Sequence, residues 1–284
     1  MNTVIFGSGF GLYGYLPTIA YFSQRIFLNK KYKRKVINKK YLKTFNKKII
    51  WFDSLETVIH KIDYIVIAQN PKSQFKTVNK ILKKKNNLKH IFLEKPISEN
   101  PNKSLRLIKN LKKSNINYSF GFIFEYLNWV KLLNKKNDIS IIWKIKKKNF
   151  SKSWKFSHSD GGGLIRFYGI HFLKLFYDLN YKKINKNLLT KTTWNFNVQN
   201  KKKLIKLVVK FDNKERFSIK NFDQIILDST NPFLKPIKKN ELDPRINTLK
   251  KYISDKLNPR VREEKYSNFV NFWKKVEKVL VKKV

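Results

Sequence analysis

The stretch TVIFGSGFG, residues 3–11, joins an apolar β-type run to a turn rich in glycine. Residues 3–6 have the apolar, β-branched composition of a buried strand, and Gly7, Gly9 and Gly11 follow directly. Glycine lets the backbone turn sharply and approach a phosphate closely, while the next helix offers free N–H groups. The order of strand, glycine turn and helix predicts the first βα unit of a dinucleotide-binding α/β sheet.

The glycines fit the dinucleotide fingerprint in two ways. The letters match at Gly9-x-Gly11-x-x-Gly14. The position matches better at Gly7-x-Gly9, because Gly7 ends the strand. In that second phasing Leu12 takes the third place, and Gly11 or Gly14 must provide the close helix packing. An ordinary strand-to-helix turn remains the alternative that the glycines alone leave open.

The first 119 residues alternate short apolar runs with amphipathic segments. This rhythm predicts a parallel, doubly wound sheet with helices on both faces, which is the Rossmann type of α/β fold. Helical periodicity is predicted at 13–22, 53–59, 75–82 and 104–111. The predicted strands are 3–6, 25–28, 49–52, 63–68, 90–96 and 117–124.

After about residue 120 strands follow one another directly, so residues 120–284 predict a second, α+β domain with an open, mostly antiparallel sheet. A long half-exposed strand is predicted at 139–148 and an apolar helix at 164–179. Two runs, 192–200 and 203–220, alternate with the period of a strand, and Asp212-Asn213-Lys214 within the second run predicts a hairpin turn. Two helices, at 243–256 and 266–281, close the chain.

The net charge of +44 comes from 63 basic residues against 19 acidic ones. Only eight of the basic residues are Arg, and the Lys residues are spread over the whole length. A nucleic-acid surface favours Arg, whose planar fork matches phosphates and guanine edges. Lys, Asn and Ile share A/T-rich codons, so we attribute the charge to genome composition and expect no specific nucleic-acid partner.

The same composition excludes several classes of protein. Cysteine is absent, which excludes disulfides and thiolate metal sites. No apolar run is long enough to span a bilayer, and no His spacing is typical of metal ligands. The first strand begins almost at Met1, leaving no room for a signal peptide. We therefore expect a cytoplasmic protein with neither a membrane partner nor a metal.

The end of the second predicted strand should read the ribose of a bound dinucleotide. An acid at that place accepts a hydrogen bond from the 2′-hydroxyl and favours NAD. Here the strand ends at Asn29, and the basic run 30–34 contains no acid. Basic side chains accommodate a 2′-phosphate, so the expected cofactor is NAD or NADP, with NADP slightly favoured.

Two further motifs carry residues suited to proton transfer. Glu94-Lys95-Pro96 ends a buried strand, at the edge of an α/β sheet where ligands bind. The run GGGLIRFYGIH, residues 161–171, places His171 on a helix after a triple glycine. A lysine and a histidine that face a nicotinamide can bind a substrate oxygen and move its proton, as reversible hydride transfer requires. A solvated lysine and a structural histidine are the alternatives.

Four blocks, in this order, resemble the Gfo/Idh/MocA oxidoreductases, the family of glucose-fructose oxidoreductase and inositol dehydrogenase. The resemblance covers nearly the whole chain and implies NAD(P)-dependent oxidation or reduction of sugars, nucleotide-sugars or cyclitols. It also implies a Rossmann domain followed by a domain whose open sheet often joins subunits, and hence a homo-oligomer. The blocks are GSGFGLYGYLP at 7–17, IVIAQNP at 65–71, FLEKPIS at 92–98 and GGGLIRFYGIHFLKLFYDL at 161–179.

The resemblance implies a role for individual residues of this chain. Lys95 matches the catalytic or substrate-orienting lysine, and His171 matches the proton-transferring histidine. Gln74 falls where many members have His. The residues expected to bind the cofactor are Gly7, Gly9, Phe10, Gly11, Asn29, Asn70, Pro71, Gln74 and Glu94.

One departure from the family pattern concerns the substrate. Many members have Asp four residues before the histidine, where this chain has Phe167. Tyr168 is expected to contact the substrate instead, together with Trp154 and Lys155 just upstream of the glycine run, since an aromatic face suits the C–H surface of a sugar. Asp160 is a second candidate to replace the missing acid. The alternative is a catalytically silent dinucleotide-binding protein that acts as a sensor or partner subunit.

Overall fold

The structure is a computed structural model, and it describes residues 1–84, 86–134, 138–146, 153–201, 203–221, 223–235, 241–258 and 266–283. The helices are α1 Leu16–Phe22, α2 Lys33–Ile37, α3 Lys40–Lys43, α4 Pro71–Leu82, α5 Pro101–Lys112, α6 Ile170–Asp178, α7 Ile246–Leu257 and α8 Tyr266–Lys278. The strands are β1 Asn2–Phe6, β2 Arg25–Asn29, β3 Ile49–Phe52, β4 Tyr64–Ile67, β5 His90–Leu93, β6 Asn117–Phe120, β7 Ile139–Lys146, β8 Lys183–Leu189, β9 Thr193–Gln199, β10 Leu204–Asp212, β11 Arg216–Asn221, β12 Gln224–Ser229 and β13 Val281–Lys282.

The described residues form two units. The first takes residues 1–98, 106–121 and 241–258, and the second takes the described parts of 99–105, 122–235 and 266–283. The predicted boundary at 119/120 assigns every later residue to the second domain. In the structure α7 instead belongs to the first unit, because it packs against α1.

A six-stranded parallel sheet, in the order β3-β2-β1-β4-β5-β6, forms the centre of the first unit. The strand order reverses between β1 and β4, and ligands of such sheets bind beyond the carboxyl ends at that point. Four loops or turns lead away from β1, β2, β4 and β5 at this edge. The sequence prediction of a Rossmann-type parallel sheet is confirmed, and each of its six strands lies at the predicted place.

Helix α7 completes the first unit from the far end of the chain. Its Tyr252 is fully buried, donates from its hydroxyl to Ser119 Oγ at 2.8 Å and packs edge-on against the ring of Phe92. Leu249 and Ile253 lie one helical turn apart on the same face and are also fully buried. The core of the first unit therefore depends on residues that follow most of the second unit in sequence.

The second unit is built on a mixed sheet in the order β12-β11-β7-β10-β9-β8-β13. Strands β7 and β10 pair in parallel, β8 and β13 also pair in parallel, and the other neighbours are antiparallel. An apolar face of α6 packs on this sheet, as the ring of Phe176 stacks over that of Phe196. The prediction of an open, mostly antiparallel sheet is confirmed.

The hairpin predicted at Asp212-Asn213-Lys214 is wrong. Strands β10 and β11 do flank that turn, but β7 lies between them and pairs with both. Adjacent strands are about 4.8 Å apart, so the chain must cross about 10 Å from β10 to β11. The three residues between the strands can span that distance when extended.

Two helices are longer or less regular than predicted. A π-helical turn, Gly11–Tyr15, leads into α1, and another, Leu164–Gly169, leads into α6.

Among the described residues, no helix combines the length and the apolar character that a membrane span requires.

Candidate functional site

The glycines of the loop after β1 differ in what requires them: close packing within the fold, or room for a ligand. A Cβ on Gly7, whose φ is 131°, would lie 2.1 Å from the carbonyl oxygen of Ala68. A Cβ on Gly14 would lie 2.2 Å from the ring of Phe10. A Cβ on Gly9 would meet no atom within 4 Å. The fold itself thus requires Gly7 and Gly14, whereas Gly9 leaves open the approach that a cofactor phosphate needs.

The start of the first helix favours one phasing of the glycine motif. Gly7 directly follows β1, and Leu12, at the third motif position, is fully buried. The N–H groups of Leu12 and Tyr13 both donate to the carbonyl of Gly9, at 2.9 and 3.1 Å. Gly11 packs its Cα against the end of β1, where a Cβ would lie 3.4 Å from the Phe6 oxygen. The pattern of Gly7-x-Gly9 therefore describes the loop better than Gly9-x-Gly11-x-x-Gly14.

Asn29, predicted to bind the cofactor, uses both ends of its amide on the backbone, in the turns after β2 and β3. Its Oδ1 accepts from the N–H of Lys31 at 3.1 Å, and its Nδ2 donates to the carbonyl of Asp53 at 2.8 Å. Asp53 follows β3 and holds the ammonium of Lys30 at 2.6 Å, with both side chains largely exposed. An acid that is absent from the end of β2 in sequence thus lies next to it in the structure, at the end of β3.

The loop after β4 ends in a capped helix. Asn70 caps α4 by accepting from the N–H of Ser73 at 2.9 Å, and Pro71 is the first helical residue. Both residues were predicted to bind the cofactor. The structure shows a helix-capping role for the side chain of Asn70.

Gln74, also predicted to bind the cofactor, is fully buried and braces the EKP turn. Its Nε2 donates to the carbonyl of Glu94 at 2.7 Å and lies 3.2 Å from those of Pro96 and Ile97. Its Oε1 accepts from the N–H of Glu94 at 3.1 Å. The amide is therefore directed to the backbone on either side of Lys95, and it acts on a ligand only through that turn.

Glu94 is a buried carboxyl at the end of β5. The hydroxyl of Tyr15 donates to its Oε1 at 2.8 Å, and a Cβ on Gly121 would lie 2.7 Å from the same oxygen. Burial raises the pKa of Glu94, and the ammonium of Lys95 opposes that rise. Burial also raises the pKa of Tyr15 well above its usual value, and the charge of Glu94 adds to this. The hydroxyl proton of Tyr15 therefore stays in the hydrogen bond to Glu94, beside the half-buried Lys95.

In the second unit, His171 lies in the first turn of α6 and is buried. Its ring stacks on that of Phe124, with centroids 4.2 Å apart and planes 3° apart. The ring of Phe122 meets it edge-on at 6.3 Å. Aromatic packing thus fixes the plane of the imidazole.

The triple glycine before His171 is explained by the backbone. Gly161 and Gly163 have φ values of 86° and 79°, which favour glycine. A Cβ on Gly162 would lie 2.1 Å from the carbonyl oxygen of Trp154. The glycine run therefore lets the chain reverse tightly against residues 154–155, and its conformation needs no ligand.

The residues predicted to contact a substrate lie together around Phe167. The ring of Trp154 meets the Phe167 ring edge-on at 5.3 Å, and the Lys155 ammonium lies 5.3 Å from its centre. Tyr168 packs edge-on against Phe167 at 4.8 Å and against Trp143 at 5.4 Å. Burial raises the pKa of Tyr168 to about 12. The three aromatic side chains Trp154, Phe167 and Tyr168 are half-buried, whereas Lys155 and Asp160 are exposed.

Sequence analysis missed two arginines. Arg166 forms a buried ion pair with Glu277 in the second unit. Arg245 belongs to the first unit and stacks on Phe10 of the glycine loop, with its guanidinium carbon 4.0 Å from the ring centre. Their residue type was the signal that could have identified them. Arginine is scarce in this lysine-rich chain, so an arginine is harder to attribute to composition than a lysine is.

Comparison with known proteins supports the reading of the first unit. A family model described as "Oxidoreductase family, NAD-binding Rossmann fold" (GFO_IDH_MocA) matches residues 1–122. A search of curated protein sequences found no match.

Solved structures match the chain over almost its full length. A super-repressor mutant of Gal80p from Saccharomyces cerevisiae is 13% identical, with a TM-score of 0.69, and the match covers 98% of this chain and 94% of that one. The WlbA (WbpB) dehydrogenase from Thermus thermophilus, solved with NAD and α-ketoglutarate, is 14% identical, with a TM-score of 0.67 and coverage of 100% and 97%. KijD10, a 3-ketoreductase from Actinomadura kijaniata solved with NADP and TDP-benzene, is 10% identical, with a TM-score of 0.67 and coverage of 98% and 96%.

At these identities the solved structures show a shared fold, while the family model identifies the first unit. Residues 1–122 match the model of the Gfo/Idh/MocA oxidoreductase family, and over its length the chain has the fold of these structures.

Proposed function

We propose that this protein is an NAD(P)-dependent oxidoreductase acting on the hydroxyl or carbonyl group of a sugar, nucleotide-sugar or cyclitol. The observation that carries the proposal is Gly9. Among the described residues nothing sterically requires glycine there, and Gly9 lies at the carboxyl edge of a sheet whose sequence matches an NAD-binding family. Two solved relatives, WlbA and KijD10, contain NAD and NADP respectively.

The proposed chemistry assigns one task to each of two residues. A bound nicotinamide would supply the hydride acceptor or donor. The Lys95 ammonium, on the turn braced by Gln74, binds the substrate oxygen and offsets its developing negative charge. His171, with its ring plane fixed by Phe124, takes or returns the proton of that oxygen. Trp154, in the half-buried aromatic cluster, packs against the C–H face of the substrate.

A catalytically silent dinucleotide-binding protein is the second candidate. Phe167 replaces an acid that the family pattern places near the substrate, and the cluster around it is aromatic and cationic. The similarity to Gal80p, a super-repressor mutant in the solved structure, points in the same direction. Tight dinucleotide binding without turnover across a broad panel of sugars would favour this candidate.

The first experiment titrates the protein with NADH and with NADPH, following energy transfer from its Trp residues at low and high salt. The proposal expects saturable binding that survives high salt. Binding that disappears with salt would reflect only the net positive charge and would contradict the proposal.

The second experiment tests the two proposed catalytic residues against matched controls. Lys95→Ala and His171→Ala are expected to lower turnover about 100-fold or more while NADH still binds. The exposed Lys89 and His60 serve as controls, and their alanine variants should retain activity. Unchanged turnover in Lys95→Ala and His171→Ala would exclude the assigned roles. The predicted homo-oligomer, joined through the second sheet, is checked by light scattering on the same samples.

A further inference from the structure

Arg245 reaches the glycine loop from a segment that follows most of the second unit in sequence. Its guanidinium carbon lies 4.0 Å from the ring centre of Phe10, the residue directly after Gly9. Asp243 holds the guanidinium through two bonds, from Nε to Oδ1 at 2.8 Å and from Nη2 to Oδ2 at 2.6 Å. Asp243 is buried, and Arg245 is about one-quarter exposed. The side chain of Arg245 is therefore oriented by two groups, the buried carboxylate of Asp243 and the aromatic ring of Phe10.

Phe10 is itself held in place, so the stack has a defined position. Its ring lies over Gly14, where a Cβ would come within 2.2 Å, and it meets the ring of Tyr15 edge-on at 5.4 Å. These contacts place the aromatic ring over the first turn of the helix that follows the loop. Arg245 therefore stacks on a fixed side chain of the glycine loop.

The charge of Arg245 also reaches the EKP turn. It lowers the pKa of Glu94 and that of Tyr15, against the larger effect of burial on each. The guanidinium therefore lies near both the glycine loop and the end of β5. A dinucleotide bound along the carboxyl edge of this sheet carries its diphosphate past the glycine loop.

Arginine suits this position better than lysine does. A guanidinium has five N–H donors in a planar fork that stacks on aromatic rings and matches phosphate oxygens, whereas an ammonium is a compact point charge. Only eight of the 63 basic residues are Arg, so this chain retains arginine sparingly. Arg166 and Arg216, like Arg245, are each engaged in a two-bond pair with a carboxylate. Arg245 differs from them in that it also stacks on a residue of the glycine loop.

We infer that Arg245 is a ligand of the cofactor diphosphate, delivered to the glycine loop by the segment 241–258 and oriented by Phe10 and Asp243. This rests on the proposed dinucleotide function and adds a binding residue to it. In this arrangement the guanidinium neutralises part of the diphosphate charge that the loop N–H groups alone leave uncompensated.

The test measures binding, with NADH by energy transfer from Trp and with ADP-ribose by calorimetry. Arg245→Gln is expected to weaken both ligands about tenfold or more, as the loss of a hydrogen bond to a charged group implies. Equal losses for the two ligands locate the contact in the part they share. Arg245→Lys should recover only part of the loss. Arg216→Gln, a surface control in the second unit, should bind as the wild type does.

A second variant separates ligand binding from folding. Arg245→Gln leaves Asp243 buried without its partner, which can destabilise the loop by itself. Arg245→Gln/Asp243→Asn removes both charges. The inference expects this double variant to unfold as the wild type does and still to bind NADH weakly. Wild-type affinity in the double variant, or in Arg245→Gln, would overturn the inference alone. A wild-type protein that binds neither NADH nor NADPH would overturn the proposed function as well.

Discussion

The guanidinium of Arg166 and the carboxylate of Glu277 form a two-bond ion pair in the interior of the second unit. Nε donates to Oε1 at 2.7 Å and Nη2 to Oε2 at 2.6 Å, and the two side chains are only 10% and 15% exposed. Nη1 donates to the carbonyls of Glu99 and His158, and Trp273 donates to Glu277. The pair thus joins the turn before α6 to α8.

Breaking this pair should destabilise the protein strongly. Glu277→Gln leaves the buried guanidinium without its counter-charge, and we expect a loss of about 3 kcal/mol in the free energy of unfolding. Asp228→Asn is the matched control, because its partner Arg216 forms the same two-bond geometry with both side chains nearly half exposed. The control should cost much less, because solvent screens an exposed ion pair. Urea unfolding followed by Trp fluorescence measures both, and equal losses would contradict the expectation.

Two alanine substitutions in the glycine loop should separate binding from stability. Gly9→Ala places a methyl group where no atom lies within 4 Å, so unfolding should be unchanged while NADH affinity falls. Gly14→Ala forces the Phe10 ring to move, so the protein should lose about 1–3 kcal/mol of stability. Thermal unfolding and NADH titration are measured on both variants. A Gly9→Ala variant with wild-type affinity would show that no phosphate approaches there.

The ion pair of Lys30 and Asp53 should set the choice between the two cofactors. Asp53→Asn removes a carboxylate that repels a 2′-phosphate and releases the ammonium, so NADPH should gain about three- to tenfold over NADH. Lys30→Gln should shift the ratio in the opposite direction. The exposed Lys89, paired with Asp63 at the other edge of the sheet, provides the control Lys89→Gln. The affinity ratio is the readout, and shifts in the same direction would argue against this assignment.

His90 should make the first unit sensitive to acid. Burial, and then the charge of Lys256, lower its pKa from 6.5 to about 4, while its Nε2 lies 2.9 Å from Ser119 Oγ and its ring stacks on Phe92. Because the pKa is lower in the folded protein, the neutral imidazole stabilises the fold above pH 6.5. This stabilisation is lost as the pH falls through about 4. The loss amounts to about 3 kcal/mol.

The variant His90→Gln should lack this part of the acid sensitivity. Urea unfolding at pH 7 and pH 4 measures the difference between wild type and variant, which cancels the contributions of other groups. His60→Gln, at an exposed position, is expected to follow the wild-type profile. A His90→Gln variant with the same pH dependence as the wild type would exclude the buried imidazole as its source.

The parallel sheet could be predicted because its strands are continuous apolar runs such as residues 64–67 and 90–93, buried on both faces. Strand β8 was not predicted, since its sequence KINKNLL has lysine and asparagine at positions that strands elsewhere give to apolar residues. The pairing of β10 with β7, rather than β11, also could not be predicted. Local sequence describes the turn at 213–215, whereas the inserted strand comes from some 60 residues earlier.

The candidate site was predicted by residue type better than by orientation. Gly7 and Gly9 lie where the motif places them, but Gln74 is directed to the backbone of the EKP turn and Asn29 to its own turn. An amide is equally suited to a ligand or to a backbone carbonyl, so its sequence position cannot decide between them. Arg245 was missed because its partner Phe10 is distant in the chain.

The place of α7 in the first unit has a consequence for synthesis of the protein. When the ribosome has finished β6, the hydroxyl of Ser119 has not yet met Tyr252, and the faces of α1 that α7 covers are still bare. At ordinary elongation rates the missing helix emerges roughly ten seconds later, after most of the second unit. The nascent first unit must wait that long with apolar surface exposed, so its folding is complete only after α7 has been synthesised.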